Sequence, residues 1–538
     1  MTSADVVIVG SGINGLVAGA LLARAGLAVT VLEAADTPGG AMASAELTLP
    51  GYRHDVMASW LGTFVNGPAW PLLCDDLEPR GLRIQAAEGW VTATAGCDGR
   101  VVKLHRDPAR SVEAWARADA RAYRSDLARI RRLAPRLQAL QARPDLRGRG
   151  AARDLLGLVR AVGLRGIAPT VRDAVSSGQA WTARNYLGDE VDRLAAPWLL
   201  HAGLAPDAAG GGVIGPMLLS GLHRAGMPVA IGGIGRLVDA LCAVITDHGG
   251  EIVTGAAVDR ILVEGGRASG ACAADHVYPA ARAVLASVPV DVLYDRLLAE
   301  ARERPTGLSE QARRVRTGRS AMQIHLALTA PLQWNDPALN EVPLVHLADG
   351  SAAVALSCAE AATGLLPRAP VVAVGQHTVL DATRAPAGAA TLWLQLPAVP
   401  EIPHGDAAHA NEAAVPGWHP DTLDLFVDRV IDRIAVHAPD IRTRIAANSV
   451  LTPVDLEARN RNLRHGDPYG GATELDQTAV WRPFPGAARL QRAIPGLWHI
   501  GASSHGGPGL GATSGVAAAQ ALLRGSRRAG GGARVPYA

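Results

Sequence analysis

The stretch from Val6 to Gly40, VVIVGSGINGLVAGALLARAGLAVTVLEAADTPGG, limits what this chain can fold into more than any other. A short apolar run, Val6–Val9, meets Gly10-x-Gly12-x-x-Gly15, and a helical pattern then runs from Leu16 to Ala25. Gly26 stops that helix, and a second apolar run, Ala28–Leu32, ends on Glu33. Strand, helix and strand with glycines at the first turn make the βαβ unit of a dinucleotide-binding fold. The glycines let the turn close and the backbone approach a pyrophosphate, whose charge then rests on the helix N-terminus. Glu33, eighteen residues past Gly15, is spaced to accept hydrogen bonds from a ribose. An acid there disfavours the 2′-phosphate of NADP. Gly19, Leu22 and Gly26 keep the spacing of a helix packed on a sheet, which an incidental glycine-rich turn would not require.

The far end repeats the device. In Gly496–Leu523, GLWHIGASSHGGPGLGATSGVAAAQALL, a strand over Leu497–Ile500 leads through a glycine-rich loop to a helix from about Ala512 to Leu523. Its N-terminus is again suited to an anion or a dipole. Between the two ends, Met227–Leu241 leads into a helix, Glu251–Ile261 reads as one strand, and Gly265-Gly-Arg267 as a hairpin turn. The dinucleotide domain is therefore expected to be discontinuous, over 1–75, 226–290 and 480–525. Residues 76–225 and 291–479 are left for a substrate-binding and cap domain, and 526–538 for a flexible tail.

Composition removes several classes. The chain has 538 residues, room for two packed domains. Of its 52 basic residues only Lys103 is a lysine, in a strand-like context, so a Schiff-base enzyme or a P-loop is excluded. The cysteines at 74, 97, 242, 272 and 358 form no Cys-x-x-Cys pair, and His404, His409 and His419 lack the partners of a metal site, so no metal is expected. No uninterrupted apolar run of spanning length occurs and the N-terminus lacks a basic leader, so the cytoplasm is the expected compartment. Residues 106–172 carry 16 arginines against six acids at helical spacing. Three readings stand: a solvated helical cap, a surface for peripheral contact with the inner face of a membrane, or a nucleic-acid patch. Sparse aromatics and the lack of a nucleic-acid motif argue against the last.

Thr37-Pro-Gly-Gly40, a second glycine pair following Glu33, resembles the extended FAD fingerprint of glutathione-reductase-like flavoproteins. With Pro50–Asp55, Pro228–Leu241, Asp381–Pro386, Asn462–Gln477, Arg482-Pro483 and the final motif, the chain resembles the phytoene-desaturase-related flavoproteins over nearly its whole length. That group includes carotenoid desaturases, flavin-type β-carotene ketolases and pyridine-nucleotide-disulfide-oxidoreductase-domain-2-like proteins. The resemblance implies an α/β fold with a discontinuous, glutathione-reductase-like FAD-binding Rossmann domain and an inserted α+β substrate domain with a helical cap. It places FAD against Gly10, Gly12, Ile13, Asn14 and Gly15, then Glu33 and Ala34, then Gly39, Gly40 and Ala41. Val258 would meet the adenine through its backbone, and Gly501, Ala502, Gly511, Ala512 and Thr513 would meet the flavin ring. Ala41 stands where amine-oxidase relatives carry an arginine.

His505 and Asp55 are the candidate catalytic residues. His505 either faces the flavin or substrate mouth or only supports its neighbours; Asp55 either faces the ring or bonds a backbone turn. Asp381 and Arg384 read as turn and cap chemistry, and the role of Asp467 stays open. With one dinucleotide site and no dithiol, a relay from NAD(P)H through flavin to a disulfide is excluded. The expected reaction is two-electron dehydrogenation of a lipophilic small molecule, an isoprenoid or polyene by resemblance, with hydride passing to flavin N5. Oxygen or a quinone would accept the electrons. An amine or imine oxidase, a ketolase or reduced-flavin isomerase, and a non-catalytic flavin-stabilised scaffold are the alternatives.

Overall fold

The computed structural model describes residues 4–141, 148–302, 304, 306–409, 416–487 and 493–529. The expected tail lies outside the described residues from 530 onward. Two seven-stranded sheets organise the chain. In chain order the strands are β1 (Ala4–Val9), β2 (Val29–Leu32), β3 (Trp90–Ala95), β4 (Val101–His105), β5 (Glu251–Val253), β6 (Val258–Glu264) and β7 (Arg267–Ala273). There follow β8 (His276–Ala286), β9 (Ser320–Leu328), β10 (Leu344–Leu347), β11 (Val372–Gly375), β12 (Ala390–Val399), β13 (Ile445–Leu451) and β14 (Leu497–His499).

The first sheet runs β6-β7-β8-β1-β2-β5, with β14 on the far half of β8. Its centre is parallel: Val7 pairs with Thr30 on one side and Val284 on the other. Helix α1 (Ile13–Arg24) returns the chain from β1 to β2, and its Leu16 and Leu22 are fully buried with Ile8 and Val31 of the strands beneath it. Helix α2 (Gly235–Asp247) packs its buried Leu237, Leu241 and Ile245 into the same core. The stretch Glu251–Ile261, expected as one strand, is two. Gly255 takes a left-handed φ of 66°, and the break sends β5 and β6 to opposite ends of the sheet. The Gly265-Gly266 turn behaves as expected, with φ of 57° and 76° joining antiparallel β6 and β7. Leu293, Tyr294, Leu297 and Ala312 belong to the apolar layer on this sheet's other face, past the expected domain edge at 290.

The second sheet runs β13-β9-β12-β11-β10-β3-β4. Its strands alternate strictly, so each face has its own chemistry. Ile324, Leu394, Val374, Val345 and Ala93 point to one side, into a core shared with Phe426, Val430 and Ile434 of helix α3 (Pro420–Ala435). The opposite face carries Gln323, Gln395, Ala373, His346 and Thr94, which stand in one row across five strands. Beyond it lie the arginine-rich helices Arg117–Gln141, Gly148–Val162 and Leu164–Val175, then Glu190–Leu200 and Gly211–Ala225. This is the expected helical cap.

A buried charge cluster ties the two sheets together. Asp55 and Arg384 are completely buried and 3.0 Å apart, and Asp381 holds the same guanidinium at 2.8 Å. Asp55 also accepts from Ser44, from Ser59 and from the Ile234 backbone N–H at the foot of α2. Asp381 accepts from the Gly232 N–H, and Arg384 donates to the Ala230 carbonyl. Burial by itself would raise the Asp55 carboxyl; Arg384 and then His377 outweigh it and hold the pKa below the ordinary carboxylate value.

Candidate functional site

One cavity of about 1670 Å³ runs from the β1–α1 turn to the floor made by the second sheet. At its first end α1 begins at Ile13, and its cap position, Gly12, supplies no side-chain hydrogen bond. The first-turn N–H groups are thus left for a ligand. A Cβ on Gly12 would meet no atom within 4 Å and would project into this space. Glu33 lies on the wall at the end of β2, its carboxylate oriented by the N–H groups of Ser11 and Ala35. Ala34, Gly39, Gly40 and Ala41 also line the cavity, and Gly40 packs so close to Gly12 that its Cβ would sit 3.3 Å from the Gly12 Cα. Asn460 reaches the same spot between Arg459 and Arg461, which also line the wall. Val258 opens onto the cavity where Ala256 N–H binds the Glu33 carbonyl at 2.7 Å. A groove with two glycine backbones, an uncapped helix start, an acid at the strand end and flanking arginines fits the ADP half of FAD.

At the middle of the cavity Gly501, Ala502, Gly511 and Thr513 line the wall, where helix α4 (Thr513–Ala529) begins. Gly15 and Ala512, also expected at the cofactor, lie behind this wall. Gly15 is a packing residue: a Cβ there would lie 2.2 Å from the Gly10 carbonyl. Ala512 is a buried hinge at φ 54°. The side chain of Asn14 is also engaged elsewhere, accepting from Ser514 Oγ at 2.8 Å and Gly515 N–H at 3.0 Å, and so couples the starts of α1 and α4.

Neither candidate catalytic residue lines the cavity. Asp55 is locked in the buried charge cluster, so its acidity serves architecture. His505 donates from Nδ1 to the Ala479 carbonyl at 2.9 Å, holding the 479 turn against the glycine-rich loop. Asp381 and Arg384, read as turn and cap chemistry, do more: Asp381 caps Thr383, while both join the inter-sheet cluster. Asp467 accepts from the N–H groups of Gly318, Tyr469 and Gly471. Arg482 is buried, pairs with no carboxylate among the described residues, and donates to the carbonyls of Ala502, Ala472 and Tyr469, fixing the 469–472 loop beside the 501–502 turn. Burial lowers its guanidinium to about 10.

Residues that the motifs did not mark form the rest of the chamber. Trp60 stacks on His377 at 4.5 Å, His377 pairs with Ser59, and Ser59 with Asp55, so the charge cluster sets the angle of an aromatic wall. Trp393 donates to the Met57 carbonyl at 3.1 Å and lines the floor with Gln395. Trp198 and His201 enter from the Glu190–Leu200 helix and its C-terminal edge. For Trp393 and Gln395 the advance signal was an aromatic or polar residue in an alternating strand; Trp60, Trp198 and His201 carried none.

Residues 8–77 match the family model described as NAD(P)-binding Rossmann-like domain. Over 97% of this chain and 93% of its own length, the pyridine nucleotide-disulfide oxidoreductase domain-containing protein 2 of Mus musculus is 26% identical. The hydroxyneurosporene desaturase of Cereibacter sphaeroides is 32% identical over 50% of this chain and 53% of its own. A solved cyclohexylamine oxidase from Brevibacterium oxydans shares the fold, with TM-score 0.59 and 15% identity over 98% of this chain and 100% of that one. Fold and site together define an FAD-dependent oxidoreductase. Its relatives include pyridine nucleotide-disulfide oxidoreductase domain-containing protein 2 over nearly the whole chain and a carotenoid desaturase over half of it, the similarity expected from the sequence.

Proposed function

We propose that the chain oxidises a lipophilic small molecule by two-electron dehydrogenation, of the kind that desaturates an isoprenoid or polyene. The observation that carries this reading is the continuity of the cavity. The dinucleotide groove opens directly into a chamber with mostly apolar walls, and among the described residues Glu33, at the nucleotide end, is the only carboxylate on them. An ammonium substrate would lack a counter-charge in that chamber, whereas an uncharged hydrocarbon chain gains by leaving water.

FAD, when bound, supplies the two-electron acceptor. The chain's own residues do the rest. Glu33 orients the ribose, the first turn of α1 holds the diphosphate, and the start of α4 favours negative charge near Thr513. Trp60, Met57 and Trp393 exclude water and hold the reacting carbon in place. We assign the nucleotide-binding role to Gly10, Gly12, Glu33, Gly39, Gly40 and Val258, and the final acceptor to oxygen or a quinone.

The cap is the entrance in this reading. Leu155 and Ala174 line the cavity, while Leu156, Leu164 and Val171 are exposed on the same two helices beside Arg153, Arg165 and Arg172. No described helix is long and apolar enough to cross a membrane, so contact would be peripheral. Co-sedimentation with vesicles containing phosphatidylglycerol should exceed that with phosphatidylcholine alone; equal recovery would remove the membrane from the reading.

The function itself is tested by anaerobic bleaching of the bound flavin with isoprenoid polyenes, an amine panel and NADPH in turn. Bleaching by a polyene alone is expected. Bleaching by amines alone would make the chain an amine oxidase, and bleaching by NADPH alone would reverse the direction of electron flow.

A further inference from the structure

The sheet under the chamber carries two polar side chains that the apolar reading does not use. Gln395 and His346 stand in the same row of the second sheet with Ala373 between them on the intervening strand. Two strand spacings separate their backbones by about 10 Å. Gln395 lines the cavity, and its amide makes no hydrogen bond to a described residue. His346 is buried and reaches the wall through a second imidazole: its Nε2 is 2.8 Å from Nε2 of His201, which does line the cavity. Tyr469 and Thr473, the polar neighbours at this end, already donate to the carbonyls of Leu200 and Ala202.

The histidine pair fixes where the protons sit. Both imidazoles are neutral, for burial drives His346 well below its ordinary pKa and His201 down to about 4. A neutral imidazole carries one N–H and one bare nitrogen, so one Nε2 donates and the other accepts. Nδ1 of His346 is buried with no partner. A buried bare acceptor is tolerated better than a buried unpaired N–H, so His346 carries its proton on Nε2 and donates it to His201. His201 must then carry its proton on Nδ1. That N–H makes no bond to a described residue, and His201 itself lines the chamber.

We propose that His201 and Gln395 form a binding subsite for an oxygen atom, a hydroxyl or carbonyl, on an otherwise apolar substrate. His201 Nδ1–H donates to the oxygen, and the Gln395 amide donates to it or accepts from a hydroxyl. His346 is a positioning residue that sets the tautomer of His201. The inference rests on the lipophilic-substrate reading and narrows it to oxygenated molecules, held by hydrogen bonds that a hydrocarbon cannot make.

The probes are farnesol and farnesene, an alcohol and a hydrocarbon with the same carbon skeleton. Their binding to the oxidised, FAD-loaded protein is read by tryptophan emission and by the flavin's visible spectrum. Farnesol should bind roughly five- to tenfold more tightly than farnesene, the worth of one or two net hydrogen bonds. His201→Phe and Gln395→Leu should each bring the ratio towards one while leaving farnesene affinity and FAD content unchanged, which certifies the fold of each variant. His346→Phe should lower the ratio as well, though His346 never reaches the cavity. Equal affinities in the unaltered protein, or a preference that survives in both His201→Phe and Gln395→Leu, overturn the subsite while farnesene binding keeps the lipophilic reading. Failure of both probes to bind overturns the two together.

Discussion

Glu33 and Arg384 show two ways in which one charge serves this protein. Glu33 sits on the cavity wall, and its carboxylate is the group a ribose would meet. Replacing it with arginine puts a cation where a hydroxyl donor must approach, so Glu33→Arg should purify colourless; a variant as yellow as the unaltered protein would refute the cofactor placement. Arg384 has no such outlet. It is wholly buried between Asp55 and Asp381, and its removal strands two carboxylates in the interior. Arg384→Met should lower the free energy of unfolding in urea by about 3–5 kcal/mol, because breaking a buried pair leaves an uncompensated charge. Asp55→Asn keeps the shape and should cost less. The same variants should shift the near-ultraviolet signal of Trp60, which leans on the cluster through His377 and Ser59.

Among the elements, α1 and α4 carry the cofactor groove jointly. Asn14 bonds Ser514 and Gly515 across the two helix starts, and a Cβ on Gly515 would lie 2.2 Å from the Asn14 carbonyl, which belongs to the backbone and cannot swing away. Gly515→Val should therefore destabilise the protein by about 1–3 kcal/mol or more and reduce FAD retention after gel filtration. What the sequence revealed and what it hid follow from this geometry. The β1–α1–β2 unit was legible because most of its demands are local: Gly10 and Gly26 take left-handed turns and Gly15 meets Gly10, though Gly19 packs on distant Ile245. That Gly15 also packs against the Gly10 carbonyl was not legible, because the motif cannot separate a glycine that meets a ligand from one that meets its own turn. The interruption at Gly255 was hidden because Glu251–Val253 and Val258–Glu264 have the same apolar pattern, and only the sheet order reveals that they part. Asp55 and Arg384 lie far apart in the chain, so nothing near either one announces the other. The polar row Gln323–Gln395–His346–Thr94 is visible as alternation in each strand, yet its alignment depends on cross-strand register, which single strands do not encode.

At the scale of the whole molecule, the interior is unusually rich in neutral histidine, and this should govern its response to acid. Burial lowers His54, His201 and His499 to about 4 and His325 and His377 to about 3, from an ordinary value of 6.5. The unfolded chain binds protons at these rings below about pH 6.5, and the folded chain does not until the pH nears 4. Their contribution is therefore fully present above pH 6.5 and is lost as the pH falls through the window from 6.5 to about 4, or to about 3 for His325 and His377. Each such ring removes up to about 1.4 kcal/mol per pH unit within that window. Asp55 acts in the same direction but lower, since its depressed carboxyl protects the fold above the ordinary aspartate pKa and fails only as the pH drops further. The melting temperature should consequently be flat between pH 7 and 8, fall steeply from pH 6 to pH 4.5, and take up several protons on unfolding at pH 5.5, measured by calorimetry in buffers of different ionisation enthalpy. His377→Gln, which keeps a polar partner for Ser59 but cannot titrate, should reduce that proton uptake by about one. A melting temperature unchanged from pH 7 to 4.5 would mean that these rings are hydrated and titrate as they do in water.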